Sequence, residues 1–170
     1  MDKCFVPSDV LYQCARDRNL QPSQLVQHGL PIRKGFWSTE PLSDKETVDE
    51  PRGTLRQRLG LEEELPTVLV VGGGDGMGGI VDIAQSLGNK LGSAQDVSYQ
   101  MVVVCGSNEA AKKALSSVDW GKAVKVQVQG FVYNMDEWMK ASDALVTKAG
   151  PGTIAEASIC GLPCMLFNYL

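Results

Sequence analysis

Metal-binding chemistry has little to work with in this chain. It has one histidine, His28, and five cysteines at 4, 14, 105, 160 and 164, with no C-x-x-C pair. A zinc site of the usual Cys/His kind is therefore not expected. Positive charge is also scarce: 16 Lys and Arg against 20 Asp and Glu give a formal net charge of −4. A nucleic-acid binder would show a basic surplus, so nucleic acid is not an expected partner. No apolar run reaches the roughly 18 residues of a membrane-crossing helix. The opening Met1-Asp-Lys-Cys-Phe-Val-Pro7 lacks the apolar core of a secretory signal, and it is not an Arg- and Ser-rich transit segment. No targeting segment is expected in it. Cys105, Cys160 and Cys164 stand in apolar contexts and are expected to be small core residues in a reducing compartment.

The 170 residues suffice for one domain with a sizeable core, and 44% hydrophobic with 21% charged residues is ordinary for a globular protein. Ser8 is placed to cap a helix over 9–18, with Val10, Leu11 and Cys14 on one face. Residues 20–25 read as a turn and short connection. Residues 36–66 are mostly polar loop, with a short helix over 54–59 stopped by Gly60; no site is evident there. From Thr67 the pattern turns regular. Apolar, β-branched runs at 67–71, 99–105, 143–147 and 163–167, and alternation at 124–128, predict strands. Helical spacing predicts helices over 80–91, 108–116, 135–141 and 153–160, with Met135 and Trp138 in the core.

Strands alternating with helices imply an α/β fold with a parallel sheet covered on both faces. In such sheets a ligand sits beyond the carboxyl ends of the strands, near the switch point. Three loops follow strands and can all lie at that edge. Residues 72–79 hold six glycines in eight positions. No G-K-[ST] follows, so this is not a Walker A loop, but its backbone can approach phosphates or a sugar. The site residues there are Gly73, Gly74, Asp75, Gly76, Met77 and Gly78. Asp75 would repel a diphosphate and fits beside sugar hydroxyls; the other reading is a residue that tolerates an unusual turn. The second loop carries Gly130, Phe131 and Val132, with Phe131 either core or ligand wall. The third stretch, Lys148-Ala-Gly-Pro-Gly-Thr-Ile-Ala-Glu156, is the most informative. Gly150, Pro151 and Gly152 turn the chain from strand into helix, whose N-terminal amides form an anion site. Lys148 could reach an anionic ligand or be a surface lysine. Thr153 and Glu156, three apart, form either a capping box or a ligand-binding carboxylate.

Taken in order, G-G-G-D-G-M-G at Gly72 to Gly78, G-F at 130–131 and K-A-G-P-G-T-I-A-E at 148–156 resemble the plant and algal monogalactosyldiacylglycerol synthases. These are family 28 glycosyltransferases, similar to the bacterial enzyme that adds N-acetylglucosamine to the peptidoglycan lipid precursor. The resemblance runs from about Cys4 to Leu170. It implies the Rossmann-like donor-binding domain of a two-domain (GT-B) enzyme. It also implies transfer of galactose from UDP-galactose to diacylglycerol, with no cofactor beyond that donor, peripherally at a plastid envelope. On this pattern residues 1–35 are the tail of an N-terminal acceptor domain and the linker, 36–66 a polar connection, and 67–170 the donor domain, truncated at its C-terminal end. The segment G-L-P-I-R ends in Arg33, which matches the family arginine close to the donor diphosphate; the plain alternative is an exposed linker residue. The resemblance sets residues 130–132 against uracil, Gly150, Gly152 and Thr153 against the diphosphate, and Glu156 against the ribose hydroxyls. The catalytic base and the lipid contacts are expected from the missing N-terminal domain, so no catalytic residue is assigned. His28 matches no family histidine. The rival readings are an N-acetylglucosaminyltransferase acting on a polyprenyl lipid, against which Asp75-Gly76-Met77 argues, and a non-catalytic UDP-sugar-binding subunit.

Overall fold

Two compact units divide the chain, Met1–Lys34 and Gly35–Leu170. The computed structural model describes residues 2–37, 51–72, 79–93 and 98–167.

In the first unit β1 (Cys4–Val6) pairs in parallel with β2 (Leu25–Gln27), Cys4 opposite Leu25. Between them runs α1 (Asp9–Asp17), capped as expected by Ser8, whose Oγ accepts from the Leu11 amide at 3.4 Å. The expected apolar face of α1 is not buried: Val10 is 72% exposed and Leu11 48%. Two three-residue strands offer too little apolar surface to cover a helix. β2 is an addition to the sequence reading, because three residues after a turn carry no resolvable alternation.

The second unit contains α2 (Arg52–Arg58), β3 (Thr67–Val71), α3 (Ile80–Gly92), β4 (Tyr99–Val104), α4 (Glu109–Ser116), β5 (Val124–Gln129), α5 (Met135–Ala141), β6 (Ala144–Thr147), α6 (Pro151–Ile159) and β7 (Cys164–Leu166). The strands form one parallel sheet in the order β5-β4-β3-β6-β7. The chain builds outward from β3 through β4 to β5, then returns to the other side of β3 for β6 and β7. Strands buried on both faces need continuous apolar runs, and Leu69, Val70, Met101, Val102, Val103 and Leu145 are fully buried. Helices α3 and α4 add Ile80, Ala84, Ala111 and Leu115 to this core. Gly88 is required by a close approach: a β-carbon there would stand 2.5 Å from the Trp120 ring. Met135 and Trp138 are buried, as their spacing predicts, and so is Cys105. Cys164 is exposed on β7, because β7 is an edge strand and its Met165 and Leu166 are exposed with it.

An ionic knot ties α2 beneath the amino ends of β3 and β6, in the stretch where no site was evident. Arg56 is buried. Its Nε donates to Ala141 O at 2.8 Å, its Nη1 to Glu63 O at 2.6 Å and its Nη2 to Asp143 Oδ2 at 2.8 Å. Asp143 also accepts from the Thr67 amide at 2.7 Å and from Arg52 at 2.6 Å. Burial pushes the Asp143 carboxyl up, but the Thr67 amide and the two guanidinium groups outweigh it and hold it below the usual carboxylate range. Beside the knot, buried Gln100 donates to Glu62 O and Thr67 Oγ1 and accepts from the Glu62 amide.

Candidate functional site

The register puts the last residues of all five strands in one row: Gln129, Val104, Val71, Thr147 and Leu166. Every loop that follows a strand therefore leaves from the same edge. Between β3 and β6 the connections depart in opposite directions, and this is the switch point at which open parallel sheets bind ligands. Thr147 holds the two strands together there, its Oγ1 donating to Val71 O at 3.1 Å. Gly72 after β3 and residues 148–150 after β6 flank the point.

The start of α6 settles what Thr153 and Glu156 do locally. Gly150 is the N-cap, with φ −83° and ψ 122°, no side chain caps the helix, and Pro151 occupies the first helical position. The first helical bond runs from the Ile154 amide to Gly150 O at 3.0 Å. Proline is pre-organised for that position and has no amide to lose. Thr153 is thus the third helical residue and Glu156 the sixth, so the capping-box reading fails: the helix begins two residues earlier than predicted. The amides of Gly152 and Thr153 are left at the open end of a nine-residue helix, where the dipole favours negative charge. Gly152, Thr153 and Glu156 lie three and four apart and share one face. A β-carbon on Gly152 would meet nothing within 4 Å, so the space over this turn is open. Glu156, one turn further along that face, is buried at 6% exposure. Lys148 is half-buried at the end of β6.

The second loop leaves β5 with Gly130, Phe131 and Val132. Phe131 is 58% exposed, which removes its reading as core. Its ring meets that of Tyr133 edge-on, with centroids 5.0 Å apart and planes at 70°. Tyr133 is exposed too. It was missed at the sequence level because a lone tyrosine after a glycine turn carries no periodic signal. Of the first loop, Gly73, Gly74, Asp75, Gly76, Met77 and Gly78 lie outside the described residues. Its flanks are Gly72, buried at the end of β3, and Gly79, whose φ of 72° opens α3 in the left-handed region that glycine tolerates. Arg33 belongs to the first unit.

Two cavities of about 260 and 320 Å³ lie at the opposite edge, one lined by Gln100 and Lys125, the other by Asp143 and Pro163. Gln100, Lys125 and Asp143 already engage Glu62, Thr67, Arg52 and Arg56 there. Both cavities lie toward the amino ends of the strands, away from the switch point at which open parallel sheets bind ligands, so the carboxyl edge remains the better candidate.

Residues 67–169, from the first strand of the sheet onward, match the Glycosyltransferase family 28 C-terminal domain. The chain belongs to this family. Among curated proteins it is 44% identical to the monogalactosyldiacylglycerol synthase, chloroplastic, of Spinacia oleracea, over 99% of this chain and 30% of that protein. It is 41% identical to monogalactosyldiacylglycerol synthase 1, chloroplastic, of Arabidopsis thaliana, with the same coverage. The chain thus spans about 30% of the length of these relatives. Among solved structures, the glycosyltransferase SnogD from Streptomyces nogalater aligns at 15% identity and a TM-score of 0.42, covering 89% of this chain and 36% of that one. The family 28 match takes in both outer strands of the sheet and every loop at its carboxyl edge.

Proposed function

We propose that this chain supplies the nucleotide-sugar half of a galactosyltransferase that moves galactose from UDP-galactose to 1,2-diacylglycerol, at the surface of a plastid envelope membrane. The observation that carries the reading is the 44% identity, along almost the entire chain, to a protein named monogalactosyldiacylglycerol synthase. The geometry supplies matching chemistry. In this reading the uracil ring lies against residues 130–132 with Phe131 as an exposed wall. The diphosphate meets the open amides of Gly152 and Thr153, with the Lys148 ammonium at the preceding strand end. The ribose hydroxyls donate to Glu156. Residues 72–79 border the sugar. As the bond from galactose to UDP breaks, negative charge grows on the diphosphate, and fixed amides with a helix dipole stabilise charge that develops there. The acceptor diacylglycerol and the base that deprotonates it are assigned to sequence that the longer relatives carry in addition.

Titration calorimetry with UDP, UDP-galactose and ADP tests the donor half. Both uridine ligands should bind at least about tenfold more tightly than ADP, a difference of about 1.4 kcal/mol. A folded chain that binds no uridine nucleotide would end the reading. Transfer of labelled galactose to diacylglycerol in mixed micelles by the full-length protein tests the acceptor, and transfer to a polyprenyl lipid instead would reassign it.

A further inference from the structure

A fourth loop reaches the same edge and has no part in the reading above. It follows β4 and leads into α4, whose N-cap Asn108 accepts from the Ala111 amide at 2.9 Å. One turn into α4, Lys112 leans over the end of β5. Its Nζ lies 3.3 Å from the point where a β-carbon on Gly130 would stand, and its Cδ lies 3.6 Å away. Glu109 Oε1 lies 3.8 Å from the same point. The two residues are three apart on α4 and share a face. The bare backbone of Gly130 is therefore flanked by one charged donor and one charged acceptor, next to the exposed Phe131 ring. Lys112 is half-buried, whereas Lys113 beside it is exposed. Among the described residues no ion pair or hydrogen bond engages the Lys112 ammonium. Buried Cys105, at the end of β4, feels both charges: desolvation pushes its thiol up, Lys112 pulls it down and Glu109 adds to the rise.

We propose that Lys112 is a specificity-determining residue of the donor site, its ammonium donating to the C4 carbonyl of the base held against residues 130–132. The inference rests on the reading of that segment as the uracil site. An ammonium has three donors and no acceptor. Uracil offers it a carbonyl oxygen at C4, where cytosine offers an amino group that is itself a donor. Donor facing donor leaves both unpaired and desolvated, the strongest source of discrimination between otherwise isosteric ligands. Glu109 sets an acceptor beside that donor, matching the N3–H that adjoins the C4 carbonyl in uracil.

The test is calorimetric titration of the full chain and three variants with UDP and CDP. The parent should prefer UDP. Lys112→Met, which keeps the length of the stem and removes the donor, should weaken UDP by about tenfold and leave CDP at least as tight as in the parent, so that the preference collapses. Lys112→Gln, which restores a neutral donor, should recover part of it, and Lys113→Met should change nothing. Melting temperatures near that of the parent confirm folded variants. Unchanged UDP affinity in a folded Lys112→Met would overturn the proposal. So would an equal loss for UDP and CDP, which would put Lys112 on the diphosphate. A parent that binds no UDP would instead remove the donor-site reading itself, and this inference with it.

Discussion

Replacing Glu156 by Gln separates a ligand-binding carboxylate from a structural one. The side chain keeps its shape, and one oxygen can still accept. What it loses is the negative charge and the second acceptor, which becomes a donor pointed at hydroxyl groups. Hydrogen bonds to charged groups contribute about 1.5–3 kcal/mol, and each 1.4 kcal/mol is about tenfold in affinity. UDP binding should therefore weaken by about ten- to a hundredfold. Stability should change little, because α6 starts at Pro151 and its first turn does not depend on Glu156. Loss of a side-chain cap would cost about 1 kcal/mol, or about 2–4 °C in melting temperature for a domain of this size; the change here should stay under about 2 °C. Calorimetry with UDP gives the affinity and scanning fluorimetry the stability. Unchanged UDP affinity together with a clear drop in melting temperature would refute the reasoning and return Glu156 to a purely structural role.

Phe131→Ala should weaken UDP by about five- to a hundredfold, since stacking a base on an aromatic ring is worth about 1–3 kcal/mol. The melting temperature should barely move, because the ring is exposed; a fall of the 3–5 kcal/mol typical of a core phenylalanine would contradict that. Arg56→Met should destabilise by about 3 kcal/mol in urea unfolding, the low end for breaking a buried pair, because Asp143 keeps Arg52 and the Thr67 amide. An unchanged midpoint would show the ionic knot to be dispensable. Two carboxylates set the acid limb of stability. Asp143 is held low despite burial, and Glu137 is held low first by its hydrogen bond from Arg58 and then by Asn134. A depressed pKa means stability that is fully present above the ordinary carboxylate value of about 4 and lost as pH falls through the lower folded value. The urea midpoint should therefore decline below about pH 4, and Asp143→Asn should show a shallower decline.

The sheet was largely legible in the sequence because central parallel strands must be apolar on both faces, so β3, β4 and β6 stand out as runs, while the outer β5 shows as strict alternation. Alternation with amphipathic helices then fixed the class, and glycine turns after strands pointed to the carboxyl edge. Three features were not legible, each for a definite reason. The two-residue error at the start of α6 came from weighting the Thr153 and Glu156 spacing over Pro151, although proline at a first helical position is itself a start signal. The exposed Phe131 and Tyr133 pair lies in a loop, where no periodicity reports burial. The Arg56 knot joins residues 85 and 87 positions apart, Ala141 and Asp143, and contacts at that range leave no local trace.

The most direct test of the central claim, that the carboxyl edge of the sheet holds a uridine nucleotide, is a titration of the isotope-labelled chain with UDP followed by amide chemical shifts. The account predicts saturable shifts at residues 130–133 and 148–156, with the amides of Gly152 and Thr153 moving most and those of Lys125 and Asp143 at the opposite edge unmoved. Shifts concentrated around Gln100, Lys125 and Asp143, or no saturable shift at all in the folded chain, would contradict it.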